Sequence, residues 1–390
     1  LELVSALAYS VDCANQKLFA KHATGKEIIQ VLRDGAHDSQ LAVAACTALR
    51  CLARAKPSAR QLAKEGAISS IIATLEASRD NIGLQIEGFK ALFNLAFQKL
   101  NQKDMTSAGV PNLVKDTLRR HEKDEPLAFF GASLLHNMAF HNDENKKVIS
   151  AVCIHDISRT MGMHTGSARV QTECLRTLMS LAFVVEGQSA VGTVALDAIF
   201  EAIENFADHE EVVIIGLTTL ATISLNHADN KERVAQKMEL VVLVMQKHSD
   251  NAKIQAEGAA VLSTLAFRHR ENKLRVFELG GVTRLLQAMK EHGDSAEVQI
   301  DCCRALASLS FEKRLQQAIA QADGVEIILH TMHAHAGSES VSVEALKALA
   351  ELAYRCDDNK QLEGAAGALE AILDVMAGSM ESQRLQTEAL

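Results

Sequence analysis

The apolar positions of this chain form a phrase that returns about every 43 residues. Its clearest copies are LQIEGFKALFNLAF (84–97), VQTECLRTLMSLAF (170–183), IQAEGAAVLSTLAF (254–267) and VQIDCCRALASLSF (298–311). Within each copy the apolar residues recur at helical spacing, which predicts an amphipathic helix ending at Leu-Ala-aromatic. The apolar residue before the small one gives the series Leu7, Leu52, Leu95, Met138, Leu181, Ile223, Leu265, Leu309 and Leu352, at steps of 42 to 45. A repeat of this period means stacked units, each burying its apolar face against the next, with no single globular core.

Two further landmarks keep the beat. Gly66, Gly109, Gly281, Gly324 and Gly367 lie at whole multiples of 43 from one another, while Val152, Ala195 and Met238 stand at that point in three intervening copies. An Asn-Lys pair follows several of the Leu-Ala helices, at 145–146, 230–231, 272–273 and 359–360. Each repeat therefore reads as three helices. In one copy they are a long helix over 251–267, a short one near 272–278, and another over 282–290 whose buried face carries Leu285, Leu286 and Met289. Gly280-Gly281 supplies the turn between the last two, because glycine tolerates the backbone angles required there. Pro111 fits the first turn of the corresponding helix, where a missing N–H costs nothing. The approximate repeats are 1–38, 39–80, 81–124, 125–166, 167–209, 210–250, 251–294, 295–337 and 338–380, with a partial one at 381–390.

This three-helix unit resembles the armadillo repeat family. The likeness rests on the glycine before one helix, the Asn-Lys opening of the short helix and the Leu-x-x-Leu-Ala ending of the long one, and it covers essentially the whole chain. It implies an all-α fold: a right-handed α-solenoid of about nine repeats whose third helices line a concave, partner-binding groove. The ends read as cut surfaces. LELVSALAYS resembles the tail of a third helix and LQTEAL the head of another, so the expectation is a segment of a longer protein, or ends that pair in a homo-oligomer.

Composition narrows the class. Three prolines and no Trp accord with nearly all helix, and a net charge of −9 argues against nucleic acid as the partner. No apolar run approaches a membrane span of about 20 residues. Eight cysteines without a Cys-x-x-Cys pair, several of them on apolar helix faces, suit reduced thiols and a cytoplasmic protein. No cofactor is expected. His330, His333 and His335 cluster, but spacing brings no further metal ligand to them.

The resemblance also locates a candidate groove. Nuclear-import receptors of this family carry Trp there, with Asn four residues later. Here the Trp-equivalent positions are Glu2, Thr47, Lys90, Ser133, Arg176, Thr218, Ala260, Arg304 and Lys347, and the Asn-equivalent row retains only Asn94 and Asn137. A receptor for nuclear-localisation signals is therefore not expected. Glu87, Glu173, Asp301 and Glu344 stand three residues before Lys90, Arg176, Arg304 and Lys347, and can pair with them or with neighbouring repeats. The aromatic row Tyr9, Phe97, Phe140, Phe183, Phe267, Phe311 and Tyr354 closes the phrase. Rings at helix ends are usually core, so burial is the favoured reading, with hydrophobic partner pockets as the alternative. Acidic residues that recur with the repeat argue for structure over catalysis. The leading function is a non-enzymatic scaffold that binds an extended or helical segment of one or more proteins, in a cytoskeletal, ciliary or organelle-tethering assembly. The alternative is the regulatory armadillo region of a larger multidomain enzyme such as a kinase.

Overall fold

The computed structural model describes residues 24–35, 38–378 and 387–388. Glu2, Ala6, Leu7, Tyr9 and Cys13, and most of the partial repeat at 381–390, lie outside the described residues. The chain divides into two compact units, Leu1–Phe206 and Ala207–Leu390.

All regular structure among the described residues is helical. The first unit holds α1 (Thr24–Asp34), α2 (Ser39–Leu52), α3 (Lys56–Lys64), α4 (Ala67–Ala77), α5 (Ile82–Leu95), α6 (Lys99–Ser107), α7 (Val110–Arg120), α8 (Glu125–Ala139), α9 (Asp143–Met163), α10 (Ala168–Leu181), α11 (Val185–Val194) and α12 (Leu196–Asn205). The second holds α13 (Glu210–Ser224), α14 (Ala228–Ala235), α15 (Met238–Lys247), α16 (Ala252–Ala266), α17 (Arg270–Glu278), α18 (Gly281–Glu291), α19 (Ala296–Ser310), α20 (Lys313–Gln321), α21 (Gly324–Ala334), α22 (Glu339–Ala353), α23 (Asp357–Ala365) and α24 (Ala368–Gly378). The long third helices are α2, α5, α8 and α10 in the first unit, and α13, α16, α19 and α22 in the second. Within each unit, successive third helices pack tightly side by side. Their Leu-x-x-Leu-Ala residues form the core: Leu92, Leu95, Leu262, Leu265, Leu306 and Leu309 are at most 1% exposed.

The polar words of the phrase hold the stack together. At four third-helix starts a buried glutamine closes the end of the preceding second helix. Gln255 Nε2 donates to the carbonyls of Met245 and His248, both at 2.7 Å. Gln85, Gln171 and Gln299 do the same for Leu75 and Ser78, Met161 and His164, and Met289 and His292. Each fills carbonyls that a helix end leaves without partners. The asparagine of Asn-Lys closes its own third helix: Asn145 Nδ2 donates to Met138 O, Asn230 to Ile223 O, Asn272 to Leu265 O and Asn359 to Leu352 O. Histidines after the second helices stitch repeats together through Nε2–H. His248 donates to Ala207 O, His292 to Ser249 O and His335 to Gly293 O, at 2.7–2.8 Å. His121 makes the same bond to Arg79 O in the first unit.

The turn before the second helix departs from the glycine landmark at two repeats. The left-handed residue is Gly280, not Gly281, and Asp323, not Gly324 (φ 76° and 61°). Gly281 and Gly324 are needed for another reason: a Cβ there would meet the carbonyl oxygens of Val276 and Ile319 at 2.8 and 2.6 Å. Where Val152 replaces the glycine, the turn is gone and α9 runs unbroken for 21 residues, so that repeat has two helices instead of three. At Ala195 the chain breaks between α11 and α12 without entering the left-handed region (φ −110°). The thiols of Cys46, Cys174, Cys302 and Cys303 are fully buried, and burial pushes those of Cys46 and Cys303 up to about 12. They are unreactive core residues.

Candidate functional site: the third-helix face

In the first unit Glu87 is a hub. Its carboxylate accepts from Lys90 Nζ at 2.7 Å on its own helix, and from Arg50 Nε at 3.0 Å and Thr47 Oγ1 at 3.2 Å on α2. Lys90 Nζ also stands 4.8 Å from the centre of the Phe130 ring. Arg176 and Glu173 approach to 4.0 Å on α10. The two candidate amides, Asn94 and Asn137, have separate fates. Asn94 Nδ2 donates to Arg50 O at 2.8 Å, so it bridges repeats and is not available to clamp a partner's backbone. Asn137 Nδ2 is buried without a partner. His136 lies alongside, its Nδ1 near Arg176 O and Ser180 Oγ; burial lowers its pKa, with Arg176's charge adding to that and its carbonyl opposing it.

In the second unit the predicted pairs join into a chain across repeats. Arg304 reaches Asp301 at 2.7 Å and Glu344 at 3.6 Å; Lys347 reaches Glu344 at 3.6 Å and Glu388 at 3.8 Å. Burial holds the Asp301 carboxyl up at about 6, against the opposing pull of Arg304. Thr218 turns its hydroxyl back to Ile214 O. The charged row of these third helices is therefore largely self-paired. These are partly exposed pairs, each worth up to about 1 kcal/mol.

The aromatic row overturns the favoured expectation of a core role. From Phe267 at 44% to Phe183 at 64%, the described rings of the row (Phe97, Phe140, Phe183, Phe267, Phe311 and Tyr354) are all exposed. After Phe97, Phe140, Phe267 and Tyr354 an asparagine side chain closes the third helix from beneath the next short helix, where a ring could otherwise tuck; after Phe183 the short helix itself closes in at Gly187. Three rings directly precede a left-handed residue that ends the helix: His141, Arg268 and Arg355 have φ of 51–56°. One face of each of three rings is covered by a lysine from the preceding repeat. Lys146 Nζ is 5.5 Å from Phe183, Lys231 5.6 Å from Phe267 and Lys273 4.8 Å from Phe311, within cation–π range. Lys231 Nζ also donates to Phe267 O at 2.9 Å. Gln316 occupies the equivalent position before Tyr354 and donates to Tyr354 O and Glu351 O, at 2.9 and 2.7 Å. Nothing in the sequence phrase flagged this lysine-over-ring geometry except the recurrence of Asn-Lys itself.

In the second unit these groups enclose an open cavity of about 500 Å³. Leu225, Phe267, Ala307 and Phe311 form its apolar wall, and Lys231, Thr264, Arg304, Glu344, Lys347 and Glu351 its polar one. The structure thus brings Arg304, Glu344 and Lys347 together with Phe267 and Phe311. A separate cavity of about 620 Å³ in the first unit lies against the second helices, with Arg79, Arg119 and Arg120 on its wall. Arg119 is bound to Asp156 and Arg120 to Asp80, which leaves little charge there for an anion. His333 and His335 bond backbone carbonyls. Because Phe183 is exposed, Phe183→Ala is expected to cost less than about 1 kcal/mol in a chemical melt. A loss of 3 kcal/mol or more, about that of a core phenylalanine, would refute the exposed placement.

A family model described as the LRRK2 ARM repeat matches residues 221–389. The helices of both units have the armadillo-repeat fold. Two solved structures share the fold. One, an engineered protein, superposes with a TM-score of 0.87 at 21% identity, over 99% of this chain and 91% of that one. The other comes from work on a phosphorylation switch controlling the interaction between cadherin and beta-catenin. It gives a TM-score of 0.69 at 15% identity, over 91% of this chain and 70% of that one. A search of the curated proteins finds no match. An armadillo solenoid is suited to protein–protein interaction. Among the described residues no helix is long and apolar enough to cross a membrane.

Proposed function

We propose that this armadillo array is a non-enzymatic scaffold that holds a partner polypeptide against its third helices, with the closing aromatics as the main contacts. The exposed aromatic row carries this reading. Six large rings, regularly placed and solvent-facing, are unusual on a surface with no partner, and aromatic side chains dominate binding energetics where they become buried. Recurring carboxylates that pair with lysine and arginine across repeats have a structural role and need no catalytic one. The neighbour's association with cadherin and beta-catenin supports a protein partner as the class.

Capture from native cells with the immobilised chain tests it. Phe97→Ala with Phe140→Ala and Phe183→Ala, and separately Arg176→Glu with Arg304→Glu, are expected to deplete the captured partner while the helical melt shifts little. An unchanged set of captured proteins for both variants would move the binding surface to the outer helices. A second reading, the regulatory armadillo region of a larger enzyme such as a kinase, is favoured by the match of residues 221–389 to the LRRK2 armadillo model. An open reading frame that continues into a catalytic domain would decide for it. Cytoskeletal, ciliary or organelle-tethering assembly and a cytoplasmic location remain part of the scaffold proposal.

A further inference from the structure

We infer that the second unit's cavity docks an acidic segment of a partner protein, seating one large apolar side chain between Phe267 and Phe311 and holding its carboxylates at Lys231, Arg268 and Lys273. The inference rests on the groove reading above and adds the chemistry of the occupant.

Charge decides it. Arg304 and Lys347, the cations at the groove centre, are already paired with Asp301, Glu344 and Glu388. The cations at the aromatic edge are different. Among the described residues Lys231, Arg268 and Lys273 make no ion pair, and each instead stands over a ring, at 5.6, 5.0 and 4.8 Å from its centre. Burial depresses the pKa of Lys231 and Lys273, with Glu312 and Glu351 partly opposing it for Lys273. Such lysines have lost water without a carboxylate in ion-pair contact, Lys273 feeling Glu312 and Glu351 only at longer range, and a carboxylate supplied from outside fills that place. Of the carboxylates on the cavity wall, Glu351 alone makes no ion pair among the described residues, and burial raises its pKa, which weakens its claim on those lysines. The edge is therefore a positive rim around an apolar seat. A basic segment would meet three unpaired cations, and a wholly polar one would leave Phe267, Phe311 and Leu225 in water.

The repeat itself supplies the cleanest variant. Gln102 and Gln316 stand where Lys231 and Lys273 do and cap the next third helix: Gln102 Nε2 donates to Asn137 O and Gln316 Nε2 to Tyr354 O. Lys231→Gln with Lys273→Gln thus removes two charges with a side chain the position already accepts. The full chain would be titrated by fluorescence anisotropy with three labelled peptides: repeated Asp-Glu-Phe, the same with Lys for each acid, and the same with Ser for each Phe. The acidic phenylalanine peptide is expected to bind best, and more weakly as salt rises. Its affinity should fall by about tenfold or more in the double glutamine variant, for two lost charge-assisted contacts, and comparably in Phe267→Ala with Phe311→Ala, at unchanged melting temperature. Preference for the lysine peptide, no binding of the acidic one, or acidic binding that survives the glutamine variant would overturn the inference. A lysine peptide whose binding is lost on removing Phe267 and Phe311 would overturn the acidic occupant alone and keep the groove. Acidic binding untouched by both double variants but lost on changing exposed Leu243 of α15 would overturn the groove reading as well.

Discussion

Replacing Gly187 by alanine is expected to destabilise the first unit by about 3 kcal/mol, the upper end of an overpacking cost. Gly187 lies at the start of α11, where other repeats place the asparagine that closes the third helix. Here the helix itself closes in. A Cβ built on Gly187 would sit 2.0 Å from the carbonyl oxygen of Leu181 and 2.7 Å from its carbon. Neither is the movable tip of a side chain, so relief requires moving α11 away from the end of α10. The shift would open the packing around Val191, which is fully buried. Because a solenoid unfolds in segments, hydrogen exchange of residues 168–205 is the suitable measure. Protection should collapse there and be largely retained in α16–α22. A change within about 0.5 kcal/mol, the level of an ordinary surface substitution, would show that the close approach is not real.

Much of this architecture was legible because the code is repetitive. The 43-residue beat, the buried Leu-x-x-Leu-Ala residues and the helix starting near residue 281 follow from apolar spacing alone. So does the pairing of Asp301 with Arg304 and of Glu344 with Lys347, since residues three apart on a helix face one another. What was not legible depended on which polar atom meets which backbone carbonyl. The glutamine in the phrase is visible, but not that its amide closes the preceding helix. The asparagine before Lys273 is visible, but not that its amide closes the helix end at Leu265 O; sequence alone favours Phe267 inside, and it lies outside. Asp323 adopts the left-handed turn without being glycine, an asparagine-like tolerance of aspartate that composition does not announce. Asn94 keeps the amide of the import receptors yet directs it to Arg50 O, a contact between repeats that no single repeat's sequence contains.

The glutamate at position 363 is the converse case, a charged residue in an apolar slot, and its removal is expected to stabilise the last repeat. Four residues after the closing asparagine, or after Leu315 in the repeat that lacks one, other repeats carry Met105, Ile149, Val234, Val276 and Ile319, each 0% exposed. Glu363 takes that place on α23, is 9% exposed, and leaves Oε1 without a hydrogen-bond partner. Burial raises its pKa from 4.5 to about 7. A carboxyl with a raised folded pKa binds its proton more tightly folded than unfolded. Its contribution is thus fully present below about 4.5 and is lost as pH rises through about 7. Glu363→Leu removes that loss and restores the aliphatic contact. At pH 8 the gain should be about 1–2 kcal/mol, less than the full shift would imply because the carboxylate keeps some contact with water. At pH 4.5 the electrostatic part should vanish and only the packing gain remain. Glu363→Gln separates the two, since it removes the charge and leaves the polar volume; it should gain at pH 8 and gain little at pH 4.5. Hydrogen exchange across residues 357–378 at both pH values reads the local stability. An equal gain at the two pH values for the leucine variant, with none for the glutamine variant, would mean that Glu363 is solvated and that packing alone accounts for the change.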